Sequence, residues 1–561
     1  MMKKIILTSL YSLAITQGLF AKTFVQPNII FIMSDDQGYP PLGINGHPWI
    51  KTPNIDDMAH NAVRFDNFEM GSTSAPSRAG IMSGVHTLRE GVTHTIYERE
   101  RLSLSATTIA EVLKPAGYQT GYFGKWHLGD EEAFQPNKRG FDESFIHGAG
   151  GIGQNYPGSC ADVPGNTYFN PVFRHNGKFV KTQGFCTDVI FESAMGWIKQ
   201  MHDVKKPFFA YISLNAPHSP FIAPPRYMKR FIDLGFDDKP AGFYGMIEHL
   251  DDCMGQLFDL LDEWGIMENT IIIYTSDNGM TRIGCGLNGF DGRPMVKLGV
   301  DENGQPMMTY NAGMKGLKGT VDEGGVRAPF IVRWDGHIQK DKVIDIVGCY
   351  LDVLPTLADF AGAKLPSGKG FEGRSLKPLI LGQDIDWQDR FLFQHVTRWG
   401  LHDEPDYYKW DQYSVRNQQY RLVHGKLYDM KNDPEQRHNI AAQHIELVDS
   451  MKRAYSKFWN ECRPCMVNEF IPLKTIQPFP TEYDAQRKSQ GIPDWNVQNI
   501  NWKKADITGM EKYFTNYEAP VPDAETKAKR AEEISDESNA KNASTLRSKA
   551  YKLAKEVNFQ F

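Results

Sequence analysis

Three apolar runs, each followed at once by a polar loop, constrain this fold more than any other feature. Asn28–Met33 is a short run with β-branched content, and Asp35, Asp36 and Gly38 come directly after it. Phe208–Leu214 ends in Asn215-Ala216-Pro217-His218, and Thr270–Tyr274 ends in Ser276-Asp277-Asn278-Gly279. Such runs predict buried strands, and the helical patterns between them predict a mainly parallel sheet sandwiched by helices. In sheets of this kind ligands bind beyond the carboxyl ends of the strands. All three runs deliver polar side chains there, so a site at that edge is expected before any residue is given a role.

The chain has 561 residues, 41% of them hydrophobic, enough for one large catalytic domain and something smaller. A net charge of −6 and the lack of a dense Lys/Arg stripe give no reason to expect a nucleic-acid partner. Residues 1–21 read as a signal peptide: Lys3 and Lys4 open it, Ile5–Phe20 is mostly apolar, and Ala21 fits a cleavage residue. The alternative, a retained anchor, is disfavoured because Thr, Ser, Gln and Gly interrupt the run, and no other segment is apolar over a bilayer's width. Export without stable membrane association is the expectation. In an oxidising compartment, Cys160 with Cys186 and Cys462 with Cys465 are candidate disulfides, whereas Cys253 and Cys349 sit in apolar patterns and read as buried thiols.

Helices are predicted over Thr107–Leu113, Met246–Trp264 and Asp352–Ala361. From Phe391 to about Ile440, short alternating runs such as Tyr413–Val415 and Tyr420–Val423 predict a small antiparallel sheet, with a helix from about Ile445 to Trp459 packed on it. Ile476–Pro522 lacks periodicity and reads as an ordered arm wrapping the surface, and Ala524–Val557 as an exposed helix or helix pair. The expected organisation is a signal peptide (1–21), a catalytic α/β domain (22–385), a smaller α+β subdomain (386–475) and a C-terminal extension (476–561).

The stretch that carries the chemistry runs from Ser74 through Ala75, Pro76, Ser77 and Arg78 to Met82, Ser83 and Gly84. Pro76 suits a helix's first turn, which places Ser74 at a helix N-terminus where backbone N–H groups favour an anion. Asp35 with Asp36, and Asp277 with Asn278, offer hard oxygen ligands at the ends of two strands, a set suited to Ca²⁺, or less well Mg²⁺, rather than to a softer metal.

The Ser74–Gly84 stretch resembles the signature of the formylglycine-dependent sulfatases, in its serine-type bacterial form. Asp35-Asp36-Gln37-Gly38, Gly121–Gly129, Ala216–Pro220, Ser276–Gly279 and Lys318–Arg327 resemble further elements of that family, over roughly residues 28 to 475. The resemblance implies an alkaline-phosphatase-like α/β fold and a Ser74 that a radical-type maturing enzyme oxidises to formylglycine. It implies a calcium ion held by Asp35, Asp36, Asp277, Asn278 and residue 74. Arg78, Lys125 and Lys318 would offset the sulfate charge, His218 would protonate the leaving oxygen, and His127 would take a proton when the sulfated intermediate breaks down. By the same resemblance, serine rather than cysteine at position 74 fits a bacterial enzyme exported to the periplasm or secreted.

Two other readings fit the same stretch: a phosphomonoesterase or phosphodiesterase of the same superfamily using unmodified Ser74, and an inactive binder of sulfated glycans. The one-metal acid set argues against the first, and the filled catalytic positions against the second. The expected substrate is a sulfated polysaccharide or oligosaccharide, with an algal galactan such as carrageenan favoured. Arg282, Arg398, Trp399 and His402 are candidate contacts, aromatics for stacking on sugar and cations for neighbouring sulfates.

Overall fold

The computed structural model describes residues 26–283, 297–401, 403–474, 477–497, 499–523 and 525–537. Its strands, in chain order, are β1 (Asn28–Ser34), β2 (Val63–Glu69), β3 (Gln119–Lys125), β4 (Glu143–His147), β5 (Val172–His175), β6 (Lys178–Lys181), β7 (Phe208–Ser213) and β8 (Thr270–Ser276). Then come β9 (Lys297–Val300), β10 (Pro306–Met308), β11 (Arg327–Arg333), β12 (Lys342–Ile344), β13 (Gly348–Cys349), β14 (Leu392–His395), β15 (Tyr413–Arg416), β16 (Tyr420–Val423) and β17 (Lys426–Asp429).

Eleven strands form one sheet in the order β12-β2-β11-β8-β1-β7-β3-β4-β5-β6, with β13 beside β2. From β8 to β4 the strands are parallel, and β11 and β5 join antiparallel on either side. Every residue of β1, β7 and β8 is buried, which explains why these strands lack polar alternation. Successive side chains of β1 still serve different cores. Ile29, Phe31 and Met33 pack with Ala75, Ala79 and Met82 of the helix Ser74–Ser83 and with the helix Val353–Ala361. Ile30 and Ile32 face the helices Cys186–Asp203 and Asp238–Glu263. Among the described residues no helix is long and apolar enough to cross a membrane.

The smaller sheet is β14-β15-β16-β17, antiparallel throughout, with the helix Ile445–Cys462 on it. Buried Arg421 of β16 ties it to the main sheet by ion pairs of 2.6 Å to both Glu69 and Glu323. The arm lies along the outer edge of the main sheet: Lys181 N donates to Pro493 O at 2.8 Å and Trp495 N to Lys181 O at 2.7 Å. An otherwise open edge is thereby covered. Trp502 and the Ala505 amide both donate to buried Asp188, which pins the arm to the helix Cys186–Asp203. The predicted last helix is described over 525–537; the remainder of that prediction, like the signal peptide, lies outside the described residues.

The disulfide expectation is corrected. Cys160, Cys186, Cys462 and Cys465 are all unpaired. Cys160 is held by its amide's hydrogen bond to Glu100, whereas the thiol of Cys186 reaches Asn215 Oδ1 at 3.7 Å. Cys465 turns its sulfur to the Glu461 carbonyl at 3.9 Å instead of to Cys462.

Candidate active site

The helix Ser74–Ser83 is buried over all ten residues, and Ser74 opens it. Pro76 fits because the first turn has no use for its missing N–H and its φ is already helical. Gly80 is required by packing: a Cβ there would stand 2.1 Å from the Tyr350 ring. Arg78, four residues after Ser74, projects from the same face.

β1 and β8 run parallel with Ser34 level with Ser276, so the two acidic loops leave the sheet side by side. Asp36 takes a left-handed φ of 67°, and Gly38 follows at 70° with room for no Cβ, since one would lie 2.2 Å from Met280 N. That turn lets the Asp36 amide donate to Asp277 Oδ1 at 3.0 Å, while Asn278 Nδ2 donates to Asp36 Oδ1 at 3.0 Å. The Ser74 hydroxyl lies 3.3 Å from both Asp35 Oδ1 and Asn278 Oδ1.

Oxygens of Asp35, Asp36 and Asp277 lie within 4.8 Å of one another, all buried. Lys125 reaches Asp35 at 2.6 Å, Arg78 reaches Asp277 at 2.9 Å, and Lys318 reaches Asp36 at 2.6 Å. Burial pushes the Asp35 carboxyl up to about 8; Lys125 opposes this, and Asp277 and Asp36 add to it. At Asp277 burial acts the same way, but Arg78, Lys125 and Lys318 outweigh it and the group stays below its ordinary range. Lys318 and His218 likewise hold Asp36 down against its burial. Three carboxylates and three cations thus share one buried site, and Asp35 is the acid that burial makes hardest to ionise. Among the described residues the grouped donors are carboxylate oxygens, with the Asn278 amide and Ser74 hydroxyl oxygens beside them, a set that fits a hard divalent cation such as Ca²⁺.

His127 sits just past β3 with φ of 57°, and its Nε2 bonds to the Thr95 carbonyl at 2.9 Å. A carbonyl only accepts, so the proton is on Nε2 and buried Nδ1, which has no partner, keeps its lone pair. Burial and then Lys125 hold this imidazole well below its usual pKa, so it is a neutral base. His218 has Nδ1 2.8 Å from the Ser219 carbonyl and Nε2 3.8 Å from Asp36 Oδ2. Burial lowers it to about 4, with Asp36 pulling the other way.

Asp36, His218 and Lys318 line a cavity of about 400 Å³, and Arg282 and Arg398 line it too. Trp399 does not, which corrects its expected role. It is 2% exposed, its indole N–H donates to Glu469 at 2.6 Å, and Arg99 lies 5.6 Å from its ring, so no face is open to a sugar. His402 lies outside the described residues. Sequence reasoning missed Thr95, which fixes the His127 tautomer, and Ser213, whose hydroxyl accepts from Arg78 at 2.5 Å and donates to the Lys125 carbonyl at 2.8 Å. Ser213 ends the β7 run and was there to be noticed; Thr95 carries no local signal.

A hydroxyl at a helix N-terminus, set against a carboxylate–cation cluster at the carboxyl end of a helix-covered sheet, defines a hydrolase of the alkaline-phosphatase-like class. The Sulfatase family model matches residues 27–363, and "N-sulphoglucosamine sulphohydrolase, C-terminal" matches residues 318–460. The chain belongs to the sulfatase family and is a sulfuric ester hydrolase. Mouse arylsulfatase G is 30% identical over 388 residues, covering 64% of this chain and 69% of its own. Rat N-acetylgalactosamine-6-sulfatase is 32% identical over 387 residues, covering 66% and 69%. The crystal structure of Ps i-CgsB aligns with a TM-score of 0.65 at 26% identity over 83% of this chain and 97% of that one, and the same protein is known in complex with k-i-k-neocarrahexaose. The phosphonate monoester hydrolase of Agrobacterium radiobacter shares the fold, with a TM-score of 0.52 at 18% identity over 78% of this chain and 96% of that one. The arm beyond residue 460 lies outside both family matches.

Proposed function

We propose that this enzyme removes sulfate from a sulfated carbohydrate in the periplasm, using formylglycine made from Ser74 by a radical-type maturing enzyme and a calcium ion. The observation that carries the proposal is Ser74 Oγ at 3.3 Å from both Asp35 and Asn278, at the head of a buried helix and beside the carboxylate cluster. Asp35, Asp36, Asp277, Asn278 and residue 74 would hold the ion, which when bound supplies charge stabilisation to the sulfate oxygens and polarises residue 74. Formylglycine at position 74 would, when hydrated, supply two hydroxyls on one carbon, one as the nucleophile toward sulfur and one through which the aldehyde could be restored.

Arg78, Lys125 and Lys318 offset the negative charge that concentrates on sulfate oxygens as the ester bond breaks. Their buried carboxylate partners fix their positions, so little reorganisation is needed at the reacting centre. Nε2 of His218 faces the cavity near Asp36, and it donates a proton to the departing sugar oxygen. An anionic substrate raises the pKa that burial depresses, so the group gains its proton as the ester arrives. The bare Nδ1 of His127 accepts the proton released in the second step. The carbohydrate class rests on relatives: N-acetylgalactosamine-6-sulfatase by its name, and Ps i-CgsB by its neocarrahexaose complex.

The test is mass spectrometry of the peptide carrying residue 74, from active protein made with a maturase. The expected product is a residue 2 mass units lighter than serine, the loss of two hydrogens. Full activity with unmodified Ser74 would overturn the formylglycine reading, and phosphate release faster than sulfate release would favour the phosphoesterase.

A further inference from the structure

Outside the cluster that meets the scissile sulfate, the same cavity carries two positive charges with no work to do there. Arg282 follows β8 on a loop held by the Thr281 amide's 2.9 Å bond to the Asp36 carbonyl. Arg398 comes from the loop after β14, more than a hundred residues later, and reaches Thr95 Oγ1 at 3.5 Å. The two converge on one cavity, and both side chains are exposed to it. Arg398 has its pKa lowered by desolvation first and, after the opposing pull of Asp36, by the like charge of Arg282.

The charge count shows what this pair lacks. Asp35, Asp36 and Asp277 already face Lys125, Lys318 and Arg78 at ion-pair distance. Asp36 is the one acid lining the cavity among the described residues, and Lys318 occupies it. Neither Arg282 nor Arg398 has a carboxylate partner among those residues. Two guanidinia on one cavity wall, with no carboxylate of their own among the described residues, repel each other, and a substrate anion between them relieves that. Among the described residues no Phe, Tyr or Trp lines the cavity, so stacking of a sugar face on a large ring is not what builds this wall.

We propose that Arg282 and Arg398 form a subsite for a second anionic substituent, a sulfate or a carboxylate on the same sugar or its neighbour. The enzyme then selects doubly charged units over singly sulfated ones. The inference rests on the sulfatase reading above and adds a specificity to it. Guanidinium forks match both anions bidentately, so the chemistry is shared and the two sources are separated by experiment.

The experiment uses full-length Ser74→Ala protein, which reads binding without turnover, and disaccharides of galactose and of N-acetylgalactosamine in matched sets. Each set holds a monosulfate, its disulfate, and the monosulfate linked to a uronate. Titration calorimetry should show binding tightened about tenfold by the second anion, the lower end for a charge-assisted contact at an open site. Arg282→Ala and Arg398→Ala should each remove most of that gain, and added salt should shrink it. The disulfate and uronate arms tell which anion is preferred. The proposal is overturned if no set shows a gain, or if the gain survives both substitutions. Turnover by matured wild-type protein separates the two readings. Sulfate released equally well from mono- and disulfated members removes the subsite and leaves the sulfatase standing. A binding preference without sulfate release removes the reaction and leaves the subsite.

Discussion

The Lys125 ammonium lies 2.6 Å from the Asp35 carboxylate, and both side chains are fully buried. This pair joins the carboxyl ends of β3 and β1, and it supplies the nearest charge to the acid that most needs one. Above about pH 8, where metal-free Asp35 ionises, removing Lys125 leaves a buried carboxylate without its nearest cation, a cost of about 3–5 kcal/mol. Lys125→Met should therefore lower thermal stability most at the alkaline end in calcium-free buffer, and activity should fall by about 10²–10³-fold. A Lys125→Met protein that melts like wild type would mean that Arg78, 3.7 Å from Asp35, already balances the charge.

Asp35 also sets a pH dependence. Unfolded it ionises near 3.8, whereas folded and metal-free it is held up to about 8, chiefly by burial. Between those values the folded state binds a proton that the unfolded state does not, so stability falls as pH rises from about 4 to about 8. Calcium would take the proton's place, so it should flatten that slope and raise Tm most at the alkaline end. Melting curves in chelator and in calcium across this range check it. Parallel slopes in both would argue that the carboxylate set holds no cation.

Arg421 links two parts of the fold that the reaction needs together. Its guanidinium joins Glu69 on β2 to Glu323 and the Val321 carbonyl, the last two within five residues of Lys318. The group is buried, and Arg421→Met leaves Glu69 only Arg416 at 3.4 Å and Glu323 only Arg327 at 3.8 Å, so it should cost about 3 kcal/mol. The expected signature is a broadened or biphasic calorimetric transition, together with a rise in KM as the Lys318 loop loosens.

Much of this was legible in the chain because local chemistry announces it. The three runs ending in Asp35-Asp36, Asn215–His218 and Asp277-Asn278 required little more than strand burial and direction to bring their ends together. The helix start at Ser74 was set by Pro76. What stayed hidden depends on partners distant in sequence. No periodicity reports that Lys181 would pair with Pro493 and Trp495, or that Thr95 would meet His127. The cysteine spacings allowed disulfides that the positions of Glu100, Asn215 and Glu461 redirect.

Arg398 and Trp399 show the same limit at neighbouring positions, and they separate experimentally. Sequence reasoning assigned both to the substrate. In the fold they point to opposite sides of their loop, because Glu469, seventy residues on, captures the Trp399 indole and Arg99 together, at 2.6 and 2.7 Å. Trp399→Ala empties a packed site and leaves half of that hydrogen-bonded pair unmet, so it should cost about 3–5 kcal/mol. It should not alter the ratio of kcat/KM between disulfated and monosulfated substrates. Arg398 is exposed, with one 3.5 Å contact to Thr95, so its loss should change stability by no more than about 0.5 kcal/mol. Arg398→Ala should instead cut the selectivity ratio by about tenfold. Thermal melts and paired kinetics on the two variants test both assignments at once. A Trp399→Ala enzyme that folds normally but loses its disulfate preference would return that indole to the substrate.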